Sequence, residues 1–157
     1  MANQSNLEEN KQIVRAFINA AFNEHRADKA ADFMAPDIKW HGGTLGTVEG
    51  RENFVGLIGA IVGALPDLRN VEQDAIAERD IVSVRALVDG TLKGDLLGIT
   101  ANGKHVQWDA VDVYRIAHGK SPRSGPRTTF SHSFMESGHT PHPGSSSRPS
   151  VSRSPGW

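Results

Sequence analysis

The sequence contains no cysteine, which excludes disulfide bonds, thiol catalysis and cysteine-ligated metal sites. Its formal charge is only −1, so nothing global favours binding to nucleic acid or to a membrane surface. No apolar run has the length of a membrane span, and the residues after Met1 do not form a signal-peptide pattern. These absences fit a cytoplasmic protein and give no indication of binding to nucleic acid or to a membrane.

The composition changes sharply near Lys120. Residues 1–120 hold 13 Lys and Arg against 17 Asp and Glu, which is typical of a globular domain large enough to bury a core. Residues 121–157 hold eleven Ser, six of the eight Pro and a single acidic residue, Glu136. Such a segment has too few apolar side chains to offset its ordering entropy. We therefore predict one domain over residues 1–120 and a disordered Ser/Pro/Gly-rich tail over residues 121–157.

Hydrophobic periodicity predicts three helices in the first part of the domain. Ser5-x-x-Glu8 is typical of a capping box, and the apolar spacing after it predicts a first helix that ends near Asn23. A second, short helix is expected over about residues 28–34 and a third over residues 50–65. Between these two, residues 37–41 are expected to form a short strand.

In the second part of the domain, runs of β-branched and aromatic residues bounded by turn residues predict three strands, over residues 68–78, 81–92 and 104–116. Arg79-Asp80 is the first turn, and the second connection is rich in glycine. Helices followed by strands predict an α+β fold, with the helices packed on one face of a curved antiparallel sheet. Such a cone encloses one apolar pocket, the usual position of a small-molecule site.

Asp112 is the main candidate for chemistry. Because side chains of a strand alternate between faces, Asp112 shares one face with Trp108, Ala110 and Tyr114. A carboxyl group in apolar surroundings has a raised pKa, and a group that exchanges protons near neutral pH is suited to general acid/base catalysis. The alternative interpretation is a structural aspartate that is satisfied by neighbouring hydrogen-bond donors.

Other residues are candidates for the pocket wall. Trp40 and His41 fall on opposite faces of one strand, so at most one of them points inward. His41 is a second catalytic candidate, because a histidine can hydrogen-bond a substrate oxygen, although many histidines at strand ends are only structural. The predicted substrate-binding residues, each of which could equally be an ordinary core residue, are Trp40, Trp108, Tyr114, Phe17 and Phe54.

Several short motifs, taken in order, resemble the SnoaL-like polyketide cyclases, also called ester cyclases, of the NTF2-like α+β cone fold. The resemblance covers about residues 7–120. The motifs that carry it are Phe33-Met34-Ala35-Pro36-Asp37-Ile38-Lys39-Trp40-His41-Gly42, Glu49-Gly50-Arg51-Glu52, Leu65-Pro66-Asp67-Leu68, Ala77-Glu78-Arg79-Asp80-Ile81-Val82-Ser83-Val84-Arg85, Gly90-Thr91-Leu92-Lys93-Gly94-Asp95-Leu96-Leu97-Gly98-Ile99 and Asp112-Val113-Tyr114-Arg115.

The resemblance implies a function. In this family an aspartate on the long late strand is the general acid/base of an intramolecular aldol ring closure, and Asp112 matches that position. It also implies that no metal or cofactor takes part, that the substrate is a small hydrophobic carbonyl compound, and that two chains pair through their sheets as a homodimer. One residue departs from the pattern: family members often carry His where this chain has Leu92. A second polar catalytic partner is then missing.

The tail also departs from the family, which continues after Lys120 with a strand resembling Ile-x-Glu-x-Trp. Here the residues are Ser121-Pro122-Arg123-Ser124-Gly125. Restoring one nucleotide after the Lys120 codon permits Ile-Ala-Glu-Glu-Trp from allowed codons for these residues. We therefore hypothesise a shifted reading frame and a domain that lacks its last strand; an intact reading frame in the source DNA would refute this.

Two classes of function remain open from the sequence. One is an enzyme that cyclises or isomerises a hydrophobic carbonyl compound through Asp112, with epoxide hydrolysis as a lower-ranked variant. The other is a non-catalytic small-molecule-binding or dimerisation module, since a fold does not determine a function. Titration of Asp112 separates the two classes.

Overall fold

The computed structural model describes residues 4–42 and 46–117, together with the backbone of residues 127–132. The predicted α+β class is confirmed, with the helices preceding most of the sheet. The elements are α1 (Gln4–Ile18), α2 (Ala27–Ala30), β1 (Lys39–His41), β2 (Thr47–Glu49), α3 (Arg51–Ala64), β3 (Arg69–Glu78), β4 (Ile81–Thr91), β5 (His105–Ala117) and β6 (Arg127–His132).

The first helical segment follows its apolar periodicity. α1 continues through a single π-helical turn, Asn19–Asn23, so the segment ends where the sequence predicts. Its buried side carries Val14 and Phe17, which belong to the core. The helix already includes Gln4, so Ser5 lies within the first turn, and the predicted N-cap at Ser5 is wrong.

Hydrogen bonds from polar side chains connect this helical segment to β3 and to the turn that follows it. Arg15 donates two hydrogen bonds to the Glu72 carboxylate, at 2.8 and 2.7 Å. Asn23 bonds both backbone groups of Asn70, accepting from its N–H at 2.8 Å and donating to its carbonyl oxygen at 3.0 Å. Asn10 donates to the carbonyl oxygen of Arg79 at 3.1 Å, at the turn between β3 and β4. The helices are therefore held over one face of the sheet.

The main sheet is antiparallel with the strand order β3-β4-β5-β6. Its register pairs Asn70 with Val88 and Val88 with Trp108, and it pairs Val84 with Asp112. Because directly opposed residues share a face, Asn70, Trp108 and Asp112 all project toward the helices. The opposite face carries the alternate residues of each strand, including Asp109 and Arg115.

Two strands differ from the sequence prediction. β2 was not predicted, and it pairs with β1 through Trp40 opposite Val48 and His41 opposite Thr47. β6 pairs antiparallel with β5, including Arg115 opposite Thr129. The expectation that the sheet ends at β5 is therefore wrong for residues 127–132, whose backbone supplies an edge partner. The remaining tail prediction, residues 121–126 and 133–157, lies outside the described residues.

A core fills the space between the helices and the sheet. Its fully buried members include Ile58 of α3, Met34 and Ile38 ahead of β1, and Val82 and Val84 of β4. Leu92, at the position where the resemblance leads us to expect a histidine, is buried in the same core. Within the described ranges, none of the helices combines the length and the apolar character needed to cross a membrane.

Candidate functional site

An apolar pocket lies between the inner face of the sheet and the helices. Its wall is mainly aromatic and aliphatic, and its polar members include Asn70 of β3 and Asp112 of β5. The aromatic lining residues are Phe17, Phe22, Trp40, Phe54, Trp108 and Tyr114. The predicted substrate-binding residues Phe17, Trp40, Phe54, Trp108 and Tyr114 are thus brought together around one cavity.

Stacked rings form one side of this wall. Phe54 of α3 lies between Trp40 and Phe17, with ring-centroid distances of 5.9 and 6.3 Å and interplanar angles of 22° and 24°. Phe17 in turn meets Tyr114 edge-on at 6.1 Å. Offset and edge-to-face contacts of this kind stabilise aromatic clusters beyond the burial of their area. The wall is therefore a packed layer that also belongs to the core.

Asp112 projects into the pocket from the middle of β5. Protein atoms surround its carboxyl group, while the cavity leaves the side chain half-buried rather than sealed. The Tyr114 hydroxyl donates a hydrogen bond to Oδ2 of Asp112 at 3.3 Å. Among the residues whose side chains are described, no cation forms an ion pair with Asp112.

Burial changes the proton affinity of this carboxyl group. Desolvation raises the pKa of Asp112 from 3.8 to about 6, because the apolar surroundings penalise the anion. The Tyr114 hydrogen bond opposes this shift by stabilising the anion, but it does not cancel it. Burial and the neighbouring carboxylate also raise the pKa of Tyr114 well above its usual value, so the phenol remains a hydrogen-bond donor. Asp112 can therefore both take up and release a proton near neutral pH.

A model of the SnoaL-like polyketide cyclase family matches residues 12–121 of the chain. This stretch includes the C-terminal half of α1, all of α2 and α3, the residues that line the pocket, and Asp112. The chain belongs to this family. No curated protein sequence is similar enough to the chain to count as a match.

Solved structures agree on the fold of this SnoaL-like protein. A proposed SnoaL-like polyketide cyclase from Jannaschia sp. CCS1 is 20% identical, with a TM-score of 0.73 over 87% of this chain and 91% of that one. The proposed hydroxylase AclR from Streptomyces galilaeus is 22% identical, with a TM-score of 0.68 over 82% and 90%. A protein with a ketosteroid isomerase-like fold from Catenulispora acidiphila is 18% identical, with a TM-score of 0.60 over 78% and 83%. The predicted NTF2-like fold is thereby confirmed.

The structure does not bring His41 to Asp112. Of the two adjacent candidates, Trp40 points inward and is buried, while His41 lies on the other face of β1. The His41 Nδ1 atom is 2.9 Å from the Thr47 hydroxyl across the β1–β2 pair. His41 is not among the lining residues of this pocket, so its predicted catalytic role has no geometric support there.

Sequence reasoning missed Asn70 of this SnoaL-like protein. Its side chain is 7% exposed and lines the pocket, and its Oδ1 atom has no hydrogen-bond partner among the described residues. A signal was present, because Asn70 stands two positions after the buried Leu68 and so falls on the inner face of the predicted strand.

Within the described part, no group of three or more His, Asp or Glu side chains is placed to share a metal ion.

Proposed function

We propose that this protein is a cofactor-free cyclase or isomerase of a small hydrophobic carbonyl compound, with Asp112 as its general acid/base. The observation that supports this most strongly is the position of Asp112. Its carboxyl group has a pKa of about 6 and faces a pocket whose wall is otherwise mainly apolar. Such perturbed groups in clefts are enriched at catalytic sites.

The proposed reaction needs one proton carrier. The Asp112 carboxylate removes a proton from the carbon next to a carbonyl, and the resulting enolate attacks a second carbonyl carbon of the same molecule. The new carbon–carbon bond leaves an alkoxide, which takes the proton back from the Asp112 carboxylic acid. Tyr114 holds the carboxyl group in place through its hydrogen bond. Aromatic walls that fold the substrate supply orientation, which is worth several kcal/mol, up to roughly 7–11, in well-aligned intramolecular reactions.

The test is an aldol closure assay with 1,5-diketones that carry an aryl group on one carbonyl and a methyl group on the other, because the methyl carbon can close a six-membered ring onto the aryl ketone. We expect the parent protein to accelerate ring closure, or exchange of the protons next to the carbonyl, and Asp112→Asn to lose at least about a hundredfold of that rate. Asp109→Asn is the matched control, because Asp109 lies on the same strand but on the opposite face. A parent protein that binds the diketones without accelerating either reaction would instead be a binding module.

We also propose that the protein acts as a homodimer in the cytoplasm. The face of the sheet that points away from the helices exposes apolar side chains, Val71 at 51%, Ile76 at 70% and Val111 at 36%. These residues lie on β3 and β5, on the same face by the strand register. Burial of such a face against a second copy would remove exposed apolar area from water.

A further inference from the structure

Asn70 is a polar group of the pocket that the proposed proton transfer does not use. It is held in the cross-strand row with Val88 and Trp108, both of which line the same pocket. Its side chain is only 7% exposed, and Oδ1 has no hydrogen-bond partner among the described residues. A buried acceptor without a partner is unfavourable, and each such group in a folded protein calls for a specific explanation.

The surrounding structure does not require an amide at this position. Both hydrogen bonds with Asn23 use the backbone of Asn70 and would form with any residue there except proline. The row neighbours Val88 and Trp108 offer mainly apolar contact. A leucine of similar size would keep the backbone bonds and remove the unpaired acceptor, so no hydrogen bond among the described residues requires the amide.

We propose that Asn70 is a specificity residue whose Oδ1 accepts a hydrogen bond from a hydroxyl group of the ligand. The inference rests on the proposed function, because it places the ligand in the same pocket as Asp112. It narrows the substrate class to hydrophobic carbonyl compounds that carry a phenolic or enolic hydroxyl. A ligand without that hydroxyl leaves the buried acceptor unpaired, and sites of this kind discriminate strongly against such analogues.

The test compares three probes of the same shape: 2-naphthol, which donates a hydrogen bond, 2-methoxynaphthalene, which can only accept one, and naphthalene. Dissociation constants are measured by titration for the parent, Asn70→Leu, Asn70→Ala and Asp112→Asn. We expect the parent to bind 2-naphthol about tenfold more tightly than either other probe, and both Asn70 variants to lose this preference. Gln73→Leu is the matched control, since Gln73 is an exposed amide on the same strand, and it should keep the preference.

Several results would overturn the inference. One is a hydroxyl preference that survives in both Asn70 variants and disappears in Asp112→Asn, because the hydroxyl would then bind the carboxyl group. Another is a parent that binds none of the probes or prefers 2-methoxynaphthalene. A melting temperature of Asn70→Leu and Asn70→Ala far below that of the parent would assign the amide a structural role. The rate of ring closure is measured separately. If Asp112→Asn keeps the preference for 2-naphthol and also keeps the parent's rate of ring closure, only the proposed function is contradicted.

Discussion

Tyr114 donates a hydrogen bond to Asp112 from two positions along the same strand, with 3.3 Å between Oη and Oδ2. Both residues project from the inner face of β5 into one cavity. The contact stabilises the carboxylate, whereas the apolar wall destabilises it, and the wall has the larger effect on the pKa of Asp112. The stability of the protein and the pKa of Asp112 should therefore both respond to substitutions of these two residues.

Stability should depend on the ionisation of Asp112. The folded state keeps a proton that the unfolded state releases between pH 3.8 and about 6, so the free energy of unfolding falls as pH rises through this window. Asp112→Asn removes the dependence, and above the window we expect it to be about 2–3 kcal/mol more stable than the parent. Denaturant titrations across this range measure the difference. If the difference in unfolding free energy between the parent and Asp112→Asn stays constant from about pH 4 to about pH 8, the pKa of Asp112 is not raised.

Tyr114→Phe should move the proton affinity of Asp112 upward. The substitution removes the hydrogen bond that lowers the pKa of Asp112 and leaves the desolvation in place. The acid limb of the pH–rate profile, and the carboxyl carbon chemical shift of Asp112, should both titrate at higher pH than in the parent. A titration that stays in place or moves downward would show that Tyr114 does not stabilise the anion.

Gly42→Ala should disturb the pocket through Trp40. A Cβ atom at position 42 would overlap the six-membered part of the Trp40 ring, which is buried against Phe54. We expect a loss of about 1–3 kcal/mol in stability and a changed tryptophan fluorescence spectrum. Gly59→Ala is the control, because a Cβ there meets nothing within 4 Å on an exposed position of α3. It should stabilise the protein by about 0.5–1 kcal/mol; equal effects of the two substitutions would contradict the overlap.

Ile76→Lys and Val111→Lys should weaken the proposed homodimer. Each places a charge in the exposed apolar face of the sheet, where pairing would have to desolvate it. Light scattering should give the mass of a dimer for the parent and a shift toward monomer for both variants. Ile99→Lys is the control, because the exposure of Ile99, 59%, lies between those of Ile76 and Val111, and Ile99 lies in the connection between β4 and β5. A monomeric parent would refute the dimer outright.

The order of helices and strands and the position of Asp112 were accessible from the sequence alone. The period-two pattern of residues 106–116 places Trp108, Asp112 and Tyr114 on one face whatever the strand pairs with, because alternation is a local property of the backbone. The apolar periodicity of α1 and α3 likewise identified their core faces, and the resemblance in the motifs identified the family.

The tertiary structure decided which of these faces meet and what they leave unpaired. Pairing of β1 with β2 turned Trp40 inward and His41 toward Thr47, a choice between two faces that one isolated strand cannot make. Backbone pairing added β6 beside β5, although the composition of the tail predicted no strand. The alignment of β3, β4 and β5 placed Asn70 in the pocket, and only the packed neighbours show that its Oδ1 is buried without a partner. The alternation of side chains along a strand and the apolar periodicity of a helix are encoded in the local sequence. Burial, strand register and the proton affinity of a buried group depend on residues far away in the chain.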